Sequence, residues 1–358
     1  MIQRSFFPDL FILVPTLLLI CLGVVIIYSS DPRLAIQQLI FGLIGLGIFW
    51  LLSTIDVEAY SQSSTYFYFL ILVLLLVVFI LGIETRGSLR WIPLGDLRIQ
   101  PSEFAKPVLV MFLAKFWSNN LTSWRNIGKS LLWTVPFLFL IFRQPDLGTT
   151  LTLFLIWLFM LVAANVNFLK LGVMIIAGLM TTPLTWFFLK DYQKVRFLSF
   201  LSPSQDPLGV GYNVIQSTIA VGSGQFLGRG LGRGTQSRLQ FLPEYRTDFI
   251  FASIAEELGF LASVVVLALY GLILARCLKI ASLSTSRYGN LVVFGVLGML
   301  FFQIIVNIGM NVGLVPITGI TLPLISYGGS SLIATLICLG FVAGVARFSH
   351  YRHSSDLN

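Results

Sequence analysis

The chain has 358 residues, 56% of them hydrophobic and 11% charged, with a net charge of +8 and a mean hydropathy of +0.90. Soluble domains carry about 25% charged residues, so this composition excludes an ordinary aqueous domain and indicates an integral membrane protein. The only histidines, His350 and His353, lie in the C-terminal tail, which excludes a histidine triad or a histidine zinc site in the body. Acid–base chemistry then falls to carboxylates or lysines. Cys21, Cys277 and Cys338 each sit in an apolar run without a CxxC, so neither a disulfide nor a thiolate metal site is expected.

A membrane span needs about 20 apolar residues. In chain order, the long apolar runs are 10–29, 35–54, 65–83, 148–164, 168–189, 250–275, 289–312 and 330–348. The first is longer than a signal core and lacks a small-residue cleavage site, so it reads as a retained span. Two shorter runs, 104–117 and 131–142, fall where re-entrant segments compete with spans. Counting both gives ten spans. The polar, Gly/Pro-rich segments 84–103, 143–147, 190–249 and 313–329 then all follow odd-numbered spans and share one membrane face. The other face has short links such as 55–64, 165–167 and 276–288. The Lys and Arg residues divide ten to thirteen, with the larger number on the motif-rich face and seven of those in loop 190–249. Loops that long are weak topology signals, so charge does not orient the chain. The basic face is either cytoplasmic, or outside and serving an anionic ligand.

The first motif, "ETRGSLRWIPLGDLRIQPSEFAKP", carries Arg86, Arg90, Trp91, Arg98, Glu103 and Lys106. Its arginines and Trp91 suit an interfacial belt or a site equally. Glu103 and Lys106 are at i,i+3 and share a helix face. Lys106 opens an apolar run, where charges are rare and usually functional. The joint "FRQPDLGTT" sets Arg143 and Asp146 at a bend, either as an ion pair that stabilises a broken helix or as part of a site. The stretch "VGSGQFLGRGLGRGTQSRLQFLPEYRTD" contains neither GxGxxG nor GxxxxGK[ST]. It reads as a flexible loop whose Arg229, Arg233 and Arg246 could bind phosphate.

Thr247 and Asp248 are expected to start the next helix, and a capping role competes with a functional one for Asp248. On such a helix Glu256 lies about 80° and ~12 Å from Asp248, with Glu257 on the side opposite Asp248. Capping does not explain Glu256. The last motif, "GLVPITGITLPLISYGGSS", is irregular backbone between apolar residues, tolerated at membrane depth only when buried or lining a cavity. Asn307 and Asn311 precede it on one helix face.

Together, "RWIPLG…QPSEFAK", "RQPDLGT", "GYNVIQS…GSGQFLGRGLG…LPEYRTDFIFASIAEELGF" and "GLVPITGITLPLISYGGSS" resemble the SEDS family (shape, elongation, division and sporulation proteins), typified by RodA and FtsW. The resemblance covers roughly residues 85–348. The absence of long terminal extensions leans towards the RodA-like branch. It implies an all-α integral membrane protein with about ten transmembrane helices, re-entrant or broken segments, and one large extracytoplasmic loop, 190–249, within a single domain, 1–358. It implies a peptidoglycan glycosyltransferase of the bacterial cytoplasmic membrane, with both termini inside. Such an enzyme polymerises lipid II outside the cell, in elongation and shape, beside a class B penicillin-binding protein. A basic outer face would then serve the lipid II diphosphate.

Carried onto this chain, the resemblance places the catalytic carboxylate on Asp248 and a second acidic position on Glu256. It places further functional positions on Trp91, Glu103 and Lys106, and Arg143, Asp146, Arg196, Gln216, Arg229, Arg233, Arg246, Ser326 and Ser330 complete the expected substrate-binding set. Arg246 stands where many relatives have histidine, which favours a substrate-charge role here, and Asn213 stands where glutamine is commoner. A divalent cation, Mg or Mn, is a candidate cofactor beside these cationic side chains. No organic cofactor and no nucleic acid partner are expected. A lipid II flippase or other lipid carrier is the alternative function, since buried charges and broken helices suit a carrier too. A noncatalytic scaffold is a third.

Overall fold

The computed structural model describes residues 8–81, 83–85, 88–94, 97–188, 194, 200, 210–238 and 241–355. The helices, in chain order, are α1 (Leu10–Ser30), α2 (Pro32–Ser53), α3 (Ala59–Leu81), α4 (Pro101–Asn119), α5 (Trp124–Arg143), α6 (Leu147–Ala163), α7 (Phe168–Phe188), α8 (Val210–Ser223), α9 (Thr235–Arg238), α10 (Ile250–Leu283), α11 (Arg287–Asn311) and α12 (Gly329–Ser355). Among the described residues six are long and apolar enough to cross a membrane: α1, α2, α3, α10, α11 and α12. The two short runs belong to α4 and α5, of 19 and 20 residues. At 1.5 Å per residue these reach about 28–30 Å, close to the thickness of a bilayer's hydrocarbon core, so neither is a short re-entrant piece. Polar residues at their ends hid that length from a hydropathy count.

Burial sorts inner helices from lipid-facing ones. In α11 and α12, 67% and 83% of the most apolar stretch is buried inside the protein, against 28% in α2, α3 and α10. Helix α4 is buried along most of its length too. Helix α12 packs on α2, and α11 packs on α4, α6 and α10.

Two features depart from the sequence reading. Segment 84–103 is not a simple loop. It holds a small antiparallel sheet, β1 (Ile83–Thr85), β2 (Ser88–Leu94) and β3 (Leu97–Ile99), in the order β1-β2-β3. Pairings Ile83↔Trp91 and Ile92↔Ile99 set its register. Loop 190–249 contains α8, which packs against α10 and α11.

The four motif segments do converge at one end of the bundle. Gln100 joins Ser330 and Asp146, Arg246 joins the α1–α2 corner, and residues 326–328 join α2. The short links gather separately: Lys170 Nζ donates to the Thr122 carbonyl, Ser286 Oγ to Glu58, and Arg347 to the Ser53 carbonyl.

Candidate active site

Asp248 does not start a helix. Helix α10 begins at Ile250, its N-cap is Phe249, and no side chain caps it there. Asp248 lies in the preceding turn, so neither the capping role nor the helical-wheel angle to Glu256 applies. Three consecutive carbonyls hold this turn. That of Arg246 accepts from Tyr327 N (2.9 Å), that of Thr247 from Ser326 Oγ (2.6 Å), and that of Asp248 from Asn307 Nδ2 and Asn311 Nδ2 (3.0 Å each). Asn311 Oδ1 also accepts from Ala252 N at 2.9 Å, satisfying a first-turn amide that α10's own cap leaves open. The two asparagines on one face of α11 thus fix the Asp248 backbone from another helix. The Asp248 carboxylate lies against Gly319, where an added methyl would sit 3.7 Å from Oδ2.

Residues 318–320 form the wall between Asp248 and a second polar cluster. A methyl on Gly148 would fall 2.9 Å from the Thr318 carbonyl oxygen. Two residues earlier Asp146 is the N-cap of α6, accepting from Thr149 N (3.1 Å), Thr149 Oγ1 (3.0 Å) and Gln100 Nε2 (3.2 Å). The Gln100 amide donates to Ser330 Oγ at 3.1 Å, and Arg90 donates to the carbonyls of Gln144 and Pro145. Asp146 is buried and Arg143 is exposed, and the two form no ion pair among the described residues. Below this cluster, Lys106 Nζ and Glu103 Oε2 pair at 2.7 Å, both side chains under 10% exposed.

The glycine-rich stretch is not a free loop, because it is spliced into a break in α10. At Gly259 (φ 80°, ψ −172°) the helix is interrupted. In an unbroken helix Phe260 N and Leu261 N would donate to the carbonyls of Glu256 and Glu257. Instead they donate to the carbonyls of Gln225 and Phe226 (2.9 and 3.2 Å), and the Glu256 and Glu257 carbonyls accept from Arg229 N and Gly230 N (3.0 and 2.9 Å). Four cross-chain bonds replace two helical ones, as backbone at membrane depth requires. The junction is backbone on backbone: a methyl on Gly259 would meet Gly228 N at 2.2 Å.

The acidic pair after Asp248 secures the same splice. Glu256 Oε1 accepts from Gln236 N and Thr235 Oγ1 (2.9 and 3.2 Å). Glu257 Oε2 accepts from Gly232 N (3.0 Å), and its Oε1 from Ser29 Oγ (3.1 Å). Glu256 is fully buried, and its Oε1 contacts lie on residues 235–236. Arg229 and Arg233 are exposed, and Arg229 also donates to the Ser223 carbonyl and Thr235 Oγ1. Trp91 on β2 and Gln216 on α8 are half-buried. Arg246 is paired with Asp31 at 3.2 Å. Arg86 and Arg196 lie outside the described residues. Sequence reasoning passed over Gln38 and Gln100. Gln38 Nε2 donates to the Ser326 carbonyl and its Oε1 accepts from Gly328 N. A buried glutamine within an apolar run was the available signal.

Among the described residues no three His, Cys, Asp or Glu side chains gather to hold a metal ion. Beside the polar clusters, α2, α3, α4, α12 and the small sheet line an open cavity of about 620 Å³ with apolar walls, including Phe67, Ile71, Phe104, Met111 and Phe341.

The family model for FtsW, RodA and SpoVE, described as cell cycle protein, matches residues 9–351. The chain belongs to this family. The FtsW/RodA/SpoVE member described here is 39% identical to the peptidoglycan glycosyltransferase MrdB of Escherichia coli K12 over 355 residues, covering 96% of each chain. It is 37% identical to stage V sporulation protein E of Bacillus subtilis, covering 96% of this chain and 98% of that one. Among solved structures, it superposes on a chain of a peptidoglycan synthase complex that coordinates polymerization and crosslinking, with a TM-score of 0.81 and 36% identity over 96% of this chain and 98% of that one. It also superposes on the rod-shape-determining protein RodA of Thermus thermophilus, with a TM-score of 0.73 and 30% identity over 96% and 98%. This family member is a multi-pass membrane protein of the same fold.

Proposed function

We propose that this chain is the glycosyltransferase that polymerises lipid II into glycan strands on the outer face of the bacterial cytoplasmic membrane, with both termini inside. The observation that carries this reading is the Asp248 turn, whose backbone is set by four bonds from distant segments, in a chain 39% identical over 96% of its length to a peptidoglycan glycosyltransferase. The acceptor 4-hydroxyl attacks the anomeric carbon of the donor, and the bond to undecaprenyl diphosphate breaks. The α-linked donor becomes a β-linked product, so the step inverts. Asp248 takes the hydroxyl proton, with no histidine in the body to do so. The exposed loop arginines, Arg229 and Arg233, offset charge on the leaving diphosphate. No step is assigned to a divalent cation. The apolar cavity supports the reading by offering room for a polyprenyl chain beside the Glu103–Lys106 pair. A class B penicillin-binding protein is the proposed partner in crosslinking, and the branch is the elongation one.

The test is lipid II supplied to the purified protein in liposomes. Glycan chains from this protein alone are the expected result. Lipid movement without polymer would make it a carrier, and neither activity would make it a scaffold for its partner.

A further inference from the structure

The α1–α2 corner supplies no residue to the site read from the sequence, yet it reaches the Asp248 turn by two routes. The first is direct. Asp31 divides its carboxylate: Oδ1 caps α2 by accepting from Arg33 N and Leu34 N (3.0 and 3.3 Å), and Oδ2 accepts from Arg246 Nη1 (3.2 Å). Arg246 Nε donates to Ser30 Oγ at 3.2 Å, and its guanidinium stacks 4.8 Å over the Tyr245 ring. The second route runs through α2. Gln38 holds the Ser326 carbonyl and the Gly328 amide, and Tyr327 donates to Gln37 Oε1 (2.7 Å). Ser326 Oγ and Tyr327 N in turn hold the carbonyls of Thr247 and Arg246.

We infer that Asp31 and Arg246 are a positioning pair, which ties the Asp248 turn to the α1–α2 corner and so aims its carboxylate. The inference rests on the reading of Asp248 as the base. It assigns Arg246 a different task from binding the diphosphate. Its guanidinium is matched by a carboxylate, so it has little net charge to offer an anion. The two side chains are 24% and 32% exposed, and ion pairs that wet contribute little to global stability. Their effect belongs in turnover, where a small misplacement of a reacting group is costly.

The experiment is steady-state lipid II polymerisation by the full-length protein. Asp31→Asn keeps a good N-cap for α2 and removes the charge. Arg246→Gln removes the cation without touching the cap. Each variant is expected to lower kcat about tenfold, with KM within about twofold and Tm unchanged. Arg246→Lys should recover most of the turnover, and the Asp31→Asn/Arg246→Gln double variant should be no slower than either single one. Wild-type turnover in Asp31→Asn would overturn the inference. So would a raised KM at unchanged kcat in Arg246→Gln, which would return Arg246 to the diphosphate, or fully additive losses in the double variant. The reading of Asp248 fails separately, if Asp248→Asn remains active.

Discussion

The two ends of the helix bundle differ in how the start of each helix is satisfied. At the end with short links, helix caps are local: Ser123 caps α5 through Asn126 N, Ser286 caps α11 through Gly289 N, each three residues apart. At the motif end Asp31 and Asp146 also cap α2 and α6 locally, but other polar groups there find partners far along the chain. Gln100 meets Ser330 across 230 residues, and Gln38 meets Gly328 across 290. Helix α10 there has no side-chain cap of its own and borrows Asn311 from α11. A terminus capped locally needs no distant segment to satisfy its first amides. A terminus satisfied at a distance forces chains to cross one another, and polar groups stay at membrane depth between them. That is how this fold keeps carboxylates such as Asp248 and Asp146 beside a lipid phase.

The difference can be broken most severely at the splice. Gly259→Ala puts a methyl 2.2 Å from Gly228 N, at a φ of 80° that is almost exclusive to glycine. We expect a loss of more than about 4 kcal/mol, read as loss of monodisperse protein and a collapse of Tm in detergent. A wild-type Tm would show that the break in α10 is not rigid. The next effect is at the buried ion pair. Lys106→Met alone leaves the Glu103 carboxylate buried without its partner and should cost about 3–5 kcal/mol in thermal unfolding. Adding Glu103→Gln should restore part of that stability, because no unpaired charge remains, although substrate binding stays impaired. The smallest effect belongs to the plain end. Ser123→Ala removes one local cap and should cost about 1 kcal/mol, with polymerisation unchanged. A large loss of activity there would mean that the two ends are coupled.

How much of this was legible depended on range. Composition named the solvent, and span counting put the four motif segments on one face, where the structure brings them together. Asp248, Asp146 and the Glu103–Lys106 pair stood out because carboxylates and lysines in apolar runs are conspicuous. The paths between them were not readable. Nothing in "AEELGF" announces that Gly259 breaks the helix, because a lone glycine in an apolar run is ordinary and the chain that fills the break lies some thirty residues earlier. The helical-wheel relation of Asp248 to Glu256 assumed a helix start two residues too early. It therefore offered Glu256 as a neighbour of Asp248, where the structure turns that carboxylate to Thr235 and Gln236. Arg246 looked like a free cation because its partner, Asp31, lies 215 residues away at a corner that hydropathy treats as a mere link.

The central claim is that the distant bonds of the motif end exist to present Asp248 as a base. It is tested most directly by lipid II polymerisation with purified Asp248→Asn, which keeps size and shape and removes the proton acceptor. We expect chain growth to fall by about 10² to 10⁴, with Tm within a degree or two of the wild type. Wild-type chain growth by a correctly folded Asp248→Asn protein would contradict the account.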